Sequence, residues 1–213
     1  GAELAVRLAR AGCGPLRLID QAASHVWKPR LHELAAGARK GELGEIPYQD
    51  LAERWGFVFD QGALADLDPE AKTIRLDDDS THDYRLLVLA VGGVTPDLGV
   101  EGVKEHAVML DRYPDAPALH QRFTAALDKA AAAQPPRPAR VVIVGSGLTG
   151  VELAGYLASN PEVVANPDSE LPQTLEIHLI EASSTFMPVI DDDRTREDVR
   201  SRLADLGIRI HTG

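Results

Sequence analysis

The chain has 213 residues, enough for one large domain or two small ones, and carries a formal charge of −11. That balance argues against a free nucleic-acid binder, which usually presents a basic face, and no run approaches the ~18 apolar residues of a membrane-spanning helix. The single cysteine excludes a disulfide framework within the chain, any internal CxxC dithiol and any multi-cysteine zinc site.

In chain order, residues 1–10 carry Leu4, Val6, Leu8 and Ala9 among good helix formers and predict a helix, closed by Gly12, Gly14 and Pro15. Leu16–Asp20 (LRLID) reads as a short strand. Ser24–Ala36 reads as a helix or a loop leading into one, and Ile46–Trp55 as a further helix. From Phe57 to Val91 the pattern changes to period-2 segments, FVFDQGALADLD, TIRLDD and LLVLAV, which predict a strand meander. Asp77–Ser80 marks a solvated hairpin tip within it. Leu119, Phe123 and Leu127 recur at helical spacing in residues 114–133, and Pro136 and Pro138 bar its continuation. Then come a strand (Arg140–Val144), a glycine-rich turn, a helix (Leu148–Ala158), a strand (Leu175–Glu181), a helix (Thr195–Leu206) and a strand (Ile208–His211). Such β-α-β-α-β order predicts a parallel sheet with helices on its faces.

Residues 140–158, RVVIVGSGLTGVELAGYLA, hold Gly145, Gly147 and Gly150 in a G-x-G-x-x-G array. The array alone is a weak signal; a strand running in and a helix running out make it a dinucleotide fingerprint. The first glycine permits the tight turn, the second lets backbone approach a pyrophosphate at the helix N-terminus, and the third allows close helix packing. The next strand ends in Glu181, a carboxylate that can accept from both ribose hydroxyls of NAD and repels the 2′-phosphate of NADP. Residues 161–174 read as an insertion that lengthens the spacing between fingerprint and acid.

The same pattern is half-present at the start. GAELA at 1–5 matches GVELA at 150–154, with Glu3, Leu4 and Ala5 opposite Glu152, Leu153 and Ala154. That helix also leads to a strand ending in an acid, Asp20, 19 residues after Gly1 and close to the expected ~20. The segment is expected to begin at the third glycine of a first fingerprint and to be cut at both ends. In isolation it is expected to be poorly stable and inactive.

With these motifs the sequence resembles the pyridine nucleotide-disulfide oxidoreductase superfamily of two-dinucleotide flavoproteins, and within it the type II NADH:quinone dehydrogenases. The carrying residues are GAELA with LRLID, HVWKPRLHELAAG at 25–37, YRLLVLAVGGVTPDLGVEG at 84–102, and VVIVGSGLTGVELAGYLA. The resemblance implies an α/β chain with two Rossmann-like units and a small meander. Residues 1–110 would form the FAD-binding domain, 111–139 a crossing helix and linker, and 140–213 an incomplete NADH-binding domain. It implies that Gly1, Asp20, Ala90, Val91 and Gly92 contact FAD and that Gly145, Gly147, Gly150 and Glu181 contact NADH. Glu152, which matches a family glutamate near the nicotinamide, is the best candidate for a functional acid. Hydride would pass from NADH to flavin, and electrons on to a quinone in an electron-transport role. The protein would be cytoplasmic or peripheral at the inner face of the membrane, through regions outside this segment, and a homodimer is compatible with it. Two alternatives stay open: an NADH-dependent reductase of a small electron-carrier protein, and a non-catalytic NADH-binding module.

Departures from the superfamily bound the chemistry. Cys13 stands alone in a helix-end turn, so the redox-dithiol branch is excluded within these residues, and Cys13 reads as a small packing residue. Lys28, Arg30, Arg39 and Lys40 against Glu33 give either a positive potential near flavin phosphates or an ordinary solvated face. His25 and His32, seven apart, fit one helical face but without partners for a metal. Asp191–Asp193 reads as a helix cap, and Trp27 and Trp55 as core or interface residues. Ser146 reads as a backbone position in a phosphate turn rather than a nucleophile.

Overall fold

The computed structural model describes residues 1–37, 45–97, 99–160 and 174–213. They pack as two compact units: Gly1–Trp27 with Gly44–Val94, and Lys28–Leu43 with Thr95–Gly213.

In the first unit, helix α1 (Ala2–Arg10) has Glu3 in its first turn and Arg7 and Arg10 in its last, charges that suit the helix dipole. Glu3 and Arg7 also pair at 2.7 Å across one turn. Strand β1 (Arg17–Asp20) follows and pairs in parallel with β4 (Val58–Gln61), Arg17 lying opposite Val58 and Asp20 opposite Gln61. A short antiparallel pair, β2 (Ser24–His25) and β3 (Ile46–Pro47), precedes α3 (Tyr48–Trp55). Gly56 ends α3 at φ 74°, a left-handed cap that glycine adopts without a Cβ penalty. Ala2, Ala5, Leu18, Tyr48, Ala52 and Phe57 form the buried core of this unit.

An antiparallel meander of β5 (Leu64–Asp68), β6 (Thr73–Leu76) and β7 (Thr81–Asp83) completes the unit. The hairpin tip falls at Asp77–Ser80, where the Asp78 carboxylate accepts from the Ser80 backbone N–H at 2.9 Å. Two expectations change here. FVFDQGALADLD is two strands: β4 joins the parallel pair and β5 the meander, divided at Gly62. LLVLAV forms no strand. Its alternation favours extended backbone, but a ladder needs a partner strand, and none among the described residues pairs with it. Leu86 and Val91 are accordingly 84% and 80% exposed.

The second unit holds a 3-10 turn (Lys28–Arg30), α2 (Leu31–Ala35), α4 (Val103–His106) and α5 (Asp115–Ala131). Strand β8 (Ala139–Val144), α6 (Leu148–Ser159), β9 (Leu175–Glu181), α7 (Asp193–Asp205) and β10 (Arg209–Thr212) follow. The strands form one parallel sheet in the order β10-β9-β8. Its inner face is apolar: Ala139, Val141 and Ile143 from β8 and Ile177 and Leu179 from β9 are buried, with Leu153, Ala154 and Leu157 of α6. Of the opposite face, Val142 and Val144 are exposed. Asp192 caps α7, its carboxylate accepting from the Thr195 N–H at 2.9 Å.

Residues 28–35 follow β2 in sequence yet belong to this unit, because α2 packs on α5 and α6. His25 lies in β2 and His32 in α2, so the two histidines do not share a helical face. Trp27 is 55% exposed rather than a core residue. Cys13 is exposed as well, rather than packed. Arg39, Lys40 and residues 161–173 of the insertion expected at 161–174 lie outside the described residues.

Candidate functional site

Strand β8 runs straight into the glycine turn, and α6 runs straight out. Gly145 sits at φ 99°, a conformation L side chains rarely adopt, and its N–H donates to the Ile180 carbonyl at 2.7 Å. Gly147 has ordinary dihedrals, and a Cβ built there meets nothing within 4 Å. The space over it is open to a ligand. Gly150 differs: its Cβ would lie 2.1 Å from the Gly145 carbonyl oxygen. Only glycine lets the helix sit this close to the turn. The N-terminus of α6 has no side-chain cap and no acidic residue in its first turn, so its N–H groups and dipole are free to receive an anion.

Glu181 ends β9 beside this turn. One carboxylate oxygen, Oε2, accepts from the Ser146 hydroxyl at 2.7 Å and the Ser146 N–H at 2.9 Å. The other, Oε1, accepts from the Ser183 N–H at 2.8 Å. The Ser146 hydroxyl first, then the backbone N–H groups of Ser183 and Ser146, hold this carboxyl below the usual glutamate range, against a smaller opposing effect of burial. Glu181 is therefore an anion at neutral pH with a fixed orientation.

Ser146 itself is fully buried, at 0% exposure. Its hydroxyl donates to Glu181 and accepts from the Met187 N–H at 2.8 Å. The sequence reading gave it a backbone role alone; the structure makes its side chain the junction of turn, acid and the loop after β9. The one sequence signal was a hydroxyl at a position where glycine or alanine would serve the turn.

Glu152 projects from α6 with 47% of its side chain exposed. Its Oε2 lies 3.7 Å from His32 Nδ1, whose ring meets the Tyr156 ring edge-on at 5.6 Å. That distance is beyond a hydrogen bond. Sequence reasoning did not pair His32 with Glu152, because they are brought together only by the packing of α2 on α6.

In the first unit Asp20 ends β1 as Glu181 ends β9. Its Oδ2 accepts from the Tyr48 hydroxyl at 3.0 Å and its Oδ1 from the Ala22 N–H at 2.9 Å. Burial, with the Asp20 carboxylate beside it, pushes the Tyr48 phenol far above its ordinary value, so it remains a donor. Tyr48 was likewise not singled out from sequence. Gly1 precedes α1 and its carbonyl accepts from the Ala5 N–H at 3.0 Å. A Cβ on Gly1 would lie 3.6 Å from the Ala90 Cβ, so the turn at Ala90, Val91 and Gly92 adjoins the start of α1. Gly92 is left-handed at φ 72°. Each unit thus presents a glycine at a helix start and an acid at a strand end held by a hydroxyl. Open backbone for a pyrophosphate and a fixed acceptor for a ribose are what a dinucleotide requires; the second unit has both, and the first has the fixed acceptor. Among the described residues no group of three His, Cys, Asp or Glu is placed to hold a metal ion.

The sequence model of the family described as pyridine nucleotide-disulphide oxidoreductase matches residues 1–213. A type II NADH:quinone oxidoreductase of Haemophilus influenzae is 25% identical over 245 residues, spanning 99% of this chain and 54% of its own length. The NDH2 of Plasmodium falciparum, solved in complex with NADH, superposes with a TM-score of 0.74 at 19% identity, over 92% of this chain and 42% of that one. A ferredoxin reductase of Rhodopseudomonas palustris gives a TM-score of 0.73 at 19% identity, over 100% of this chain and 47% of that one. The chain thus spans about half the length of the relatives it matches.

Proposed function

The chain belongs to the pyridine nucleotide-disulphide oxidoreductase family, and from that premise we propose that it forms the FAD-binding and NADH-binding segments of an NADH dehydrogenase that passes electrons to a quinone. The observation that carries the reading is the anionic Glu181 carboxylate, fixed at the end of β9 beside an open glycine turn.

When bound, NADH and FAD supply the redox chemistry, a hydride passing from nicotinamide to flavin. The chain's own work is binding and orientation. Gly145, Gly147 and the N-terminus of α6 would hold the NADH pyrophosphate, and Glu181 its ribose. Gly1, Asp20 and the turn at Ala90, Val91 and Gly92 would hold FAD. Tyr48 keeps the Asp20 carboxylate directed, as Ser146 does for Glu181. Glu152 is the acid proposed for the nicotinamide end, with the His32 ring beside it. No side-chain nucleophile is needed, in keeping with a solitary, exposed Cys13.

No helix among the described residues is long and apolar enough to cross a membrane. Membrane contact, where a quinone is met, is proposed for regions outside this segment, with the protein at the inner face. The curated relative of Haemophilus influenzae carries the quinone in its name, which supports that acceptor over a soluble carrier.

The test is an anaerobic titration of the flavin-loaded holoenzyme. NADH should bleach the flavin absorbance, and a short-chain quinone should restore it. Restoration by ferredoxin but not quinone would replace the acceptor, and a flavin that binds NADH without bleaching would sink the dehydrogenase reading. In the same assay Glu181→Ala should narrow the preference for NADH over NADPH.

A further inference from the structure

We infer that Ser146 is a specificity-positioning residue: its buried hydroxyl fixes the Glu181 carboxylate in the orientation that admits NADH and rejects a 2′-phosphate. The inference rests on the reading of Glu181 as the ribose acceptor and deepens it.

Three observations carry it. Ser146 is fully buried, and its hydroxyl both donates, to Glu181 Oε2 at 2.7 Å, and accepts, from the Met187 N–H at 2.8 Å. Its backbone N–H reaches the same oxygen at 2.9 Å, so Oε2 is gripped twice by one residue. Oε1 accepts from the Ser183 N–H at 2.8 Å, and a carboxylate oxygen can accept more than one hydrogen bond. The side chain is thus pinned on its inner oxygen while its outer oxygen keeps a lone pair for a ligand hydroxyl. Without the clamp a glutamate has three rotatable bonds by which to swing into solvent, and a displaced carboxylate neither receives a ribose hydroxyl nor opposes a phosphate.

The second grip of Ser146 serves the same end. Met187 stands at φ 49°, a left-handed conformation that a non-glycine residue holds only when its surroundings impose it. Its N–H on the Ser146 hydroxyl, and the burial of Phe186 and Met187 at 4% and 3%, lock the loop that follows Glu181 and supplies Ser183. One hydroxyl therefore holds Glu181 from the glycine turn and steadies the segment that holds it from the other side.

The test measures binding without turnover. Calorimetric titration of the flavin-loaded holoenzyme with ADP-ribose and with 2′-phospho-ADP-ribose gives the discrimination ratio directly. Ser146→Ala keeps the backbone N–H and removes the hydroxyl; it should weaken ADP-ribose binding roughly fivefold, while the phosphorylated ligand, no longer opposed by a fixed carboxylate, should bind no more weakly than to wild type. In turnover the loss should appear in the KM for NADH, with kcat conserved. Glu181→Ala should narrow the ratio further, and the double variant should match Glu181→Ala alone, since the hydroxyl acts only through the acid. If Ser146→Ala folds poorly, Ser146→Cys fills the site with a slightly larger side chain and a weaker donor and should shift the ratio in the same direction. Full discrimination in Ser146→Ala or Ser146→Cys, with Glu181→Ala narrowed, would overturn the role of Ser146 alone. An unchanged ratio in Glu181→Ala would instead overturn the ribose reading beneath it.

Discussion

Replacing Gly150 by alanine separates helix packing from ligand approach in the glycine turn. The added Cβ would meet the Gly145 carbonyl oxygen at 2.1 Å, the Gly145 carbonyl carbon at 3.3 Å and Ile143 Cγ2 at 3.4 Å. The first distance falls short of a tolerable contact by about 1 Å, and the obstacle is backbone, which cannot rotate aside as a side chain can. Relief requires α6 to lift from the end of β8, loosening Leu153, Ala154 and Leu157 in the core beneath it. Overpacking of this kind costs about 1–3 kcal/mol, and a backbone collision belongs at the top of that range. For a protein of this size that is a fall of roughly 6–12 °C in Tm. The assay is a thermal melt of the holoenzyme beside Gly147→Ala, where the new Cβ meets nothing within 4 Å and φ is −68°. Gly147→Ala should melt like wild type but bind NADH more weakly, because its methyl occupies the approach to the pyrophosphate. A Gly150→Ala protein that melts with the wild type would refute the close-packing argument.

Tyr48→Phe removes the 3.0 Å bond to Asp20 from a side chain only 6% exposed; it should cost roughly 1.5–3 kcal/mol. Denaturant melts should show a lower midpoint at unchanged slope, and an unmoved midpoint would deny the bond any energetic role. Leu179→Ala empties a site of 0% exposure at the centre of the β10-β9-β8 sheet; about 2–5 kcal/mol should be lost in the same experiment, and a loss under 1 kcal/mol would mean the site collapses freely. Glu181 has a folded-state pKa below its ordinary 4.5, so its contribution is complete above that value and is lost as pH falls through the lower, folded one. Taken from neutral pH to about pH 3, the Tm difference between wild type and Glu181→Gln should shrink; a difference independent of pH would contradict the hydrogen-bonded anion.

The second unit was legible in the sequence because its signals are local. An apolar strand, three glycines at fixed spacing and a following helix are neighbours in the chain, and β8, α6 and β9 lie where that pattern puts them. Hydrophobic periodicity also gave α1 and α5, and the polar run Asp77–Ser80 gave the hairpin tip. Contacts across long sequence separations were not legible. Ser146 meets Glu181 across 35 residues and Tyr48 meets Asp20 across 28, and no periodicity announces a hydroxyl that aims an acid. LLVLAV shows the converse failure: its alternation expresses a strand preference, but pairing is a property of two segments. Cys13 was assigned to packing from residue type alone, and the fold leaves it in solvent; Trp27, read as a core or interface residue, is not in the core.

That same stretch governs how this polypeptide behaves in a test tube. Leu86, Val88, Leu89, Val91 and Val94 are all more than half exposed on backbone that pairs with no strand among the described residues. Uncharged and rich in β-branched residues, it has the composition of an aggregation-prone segment. Expressed without whatever covers it, the chain should seek pairing with its own kind, giving oligomers or inclusion bodies at high concentration. A lysine placed at Val88 should restore monodispersity to such a preparation, a gatekeeping change that touches neither glycine turn nor either strand-end acid.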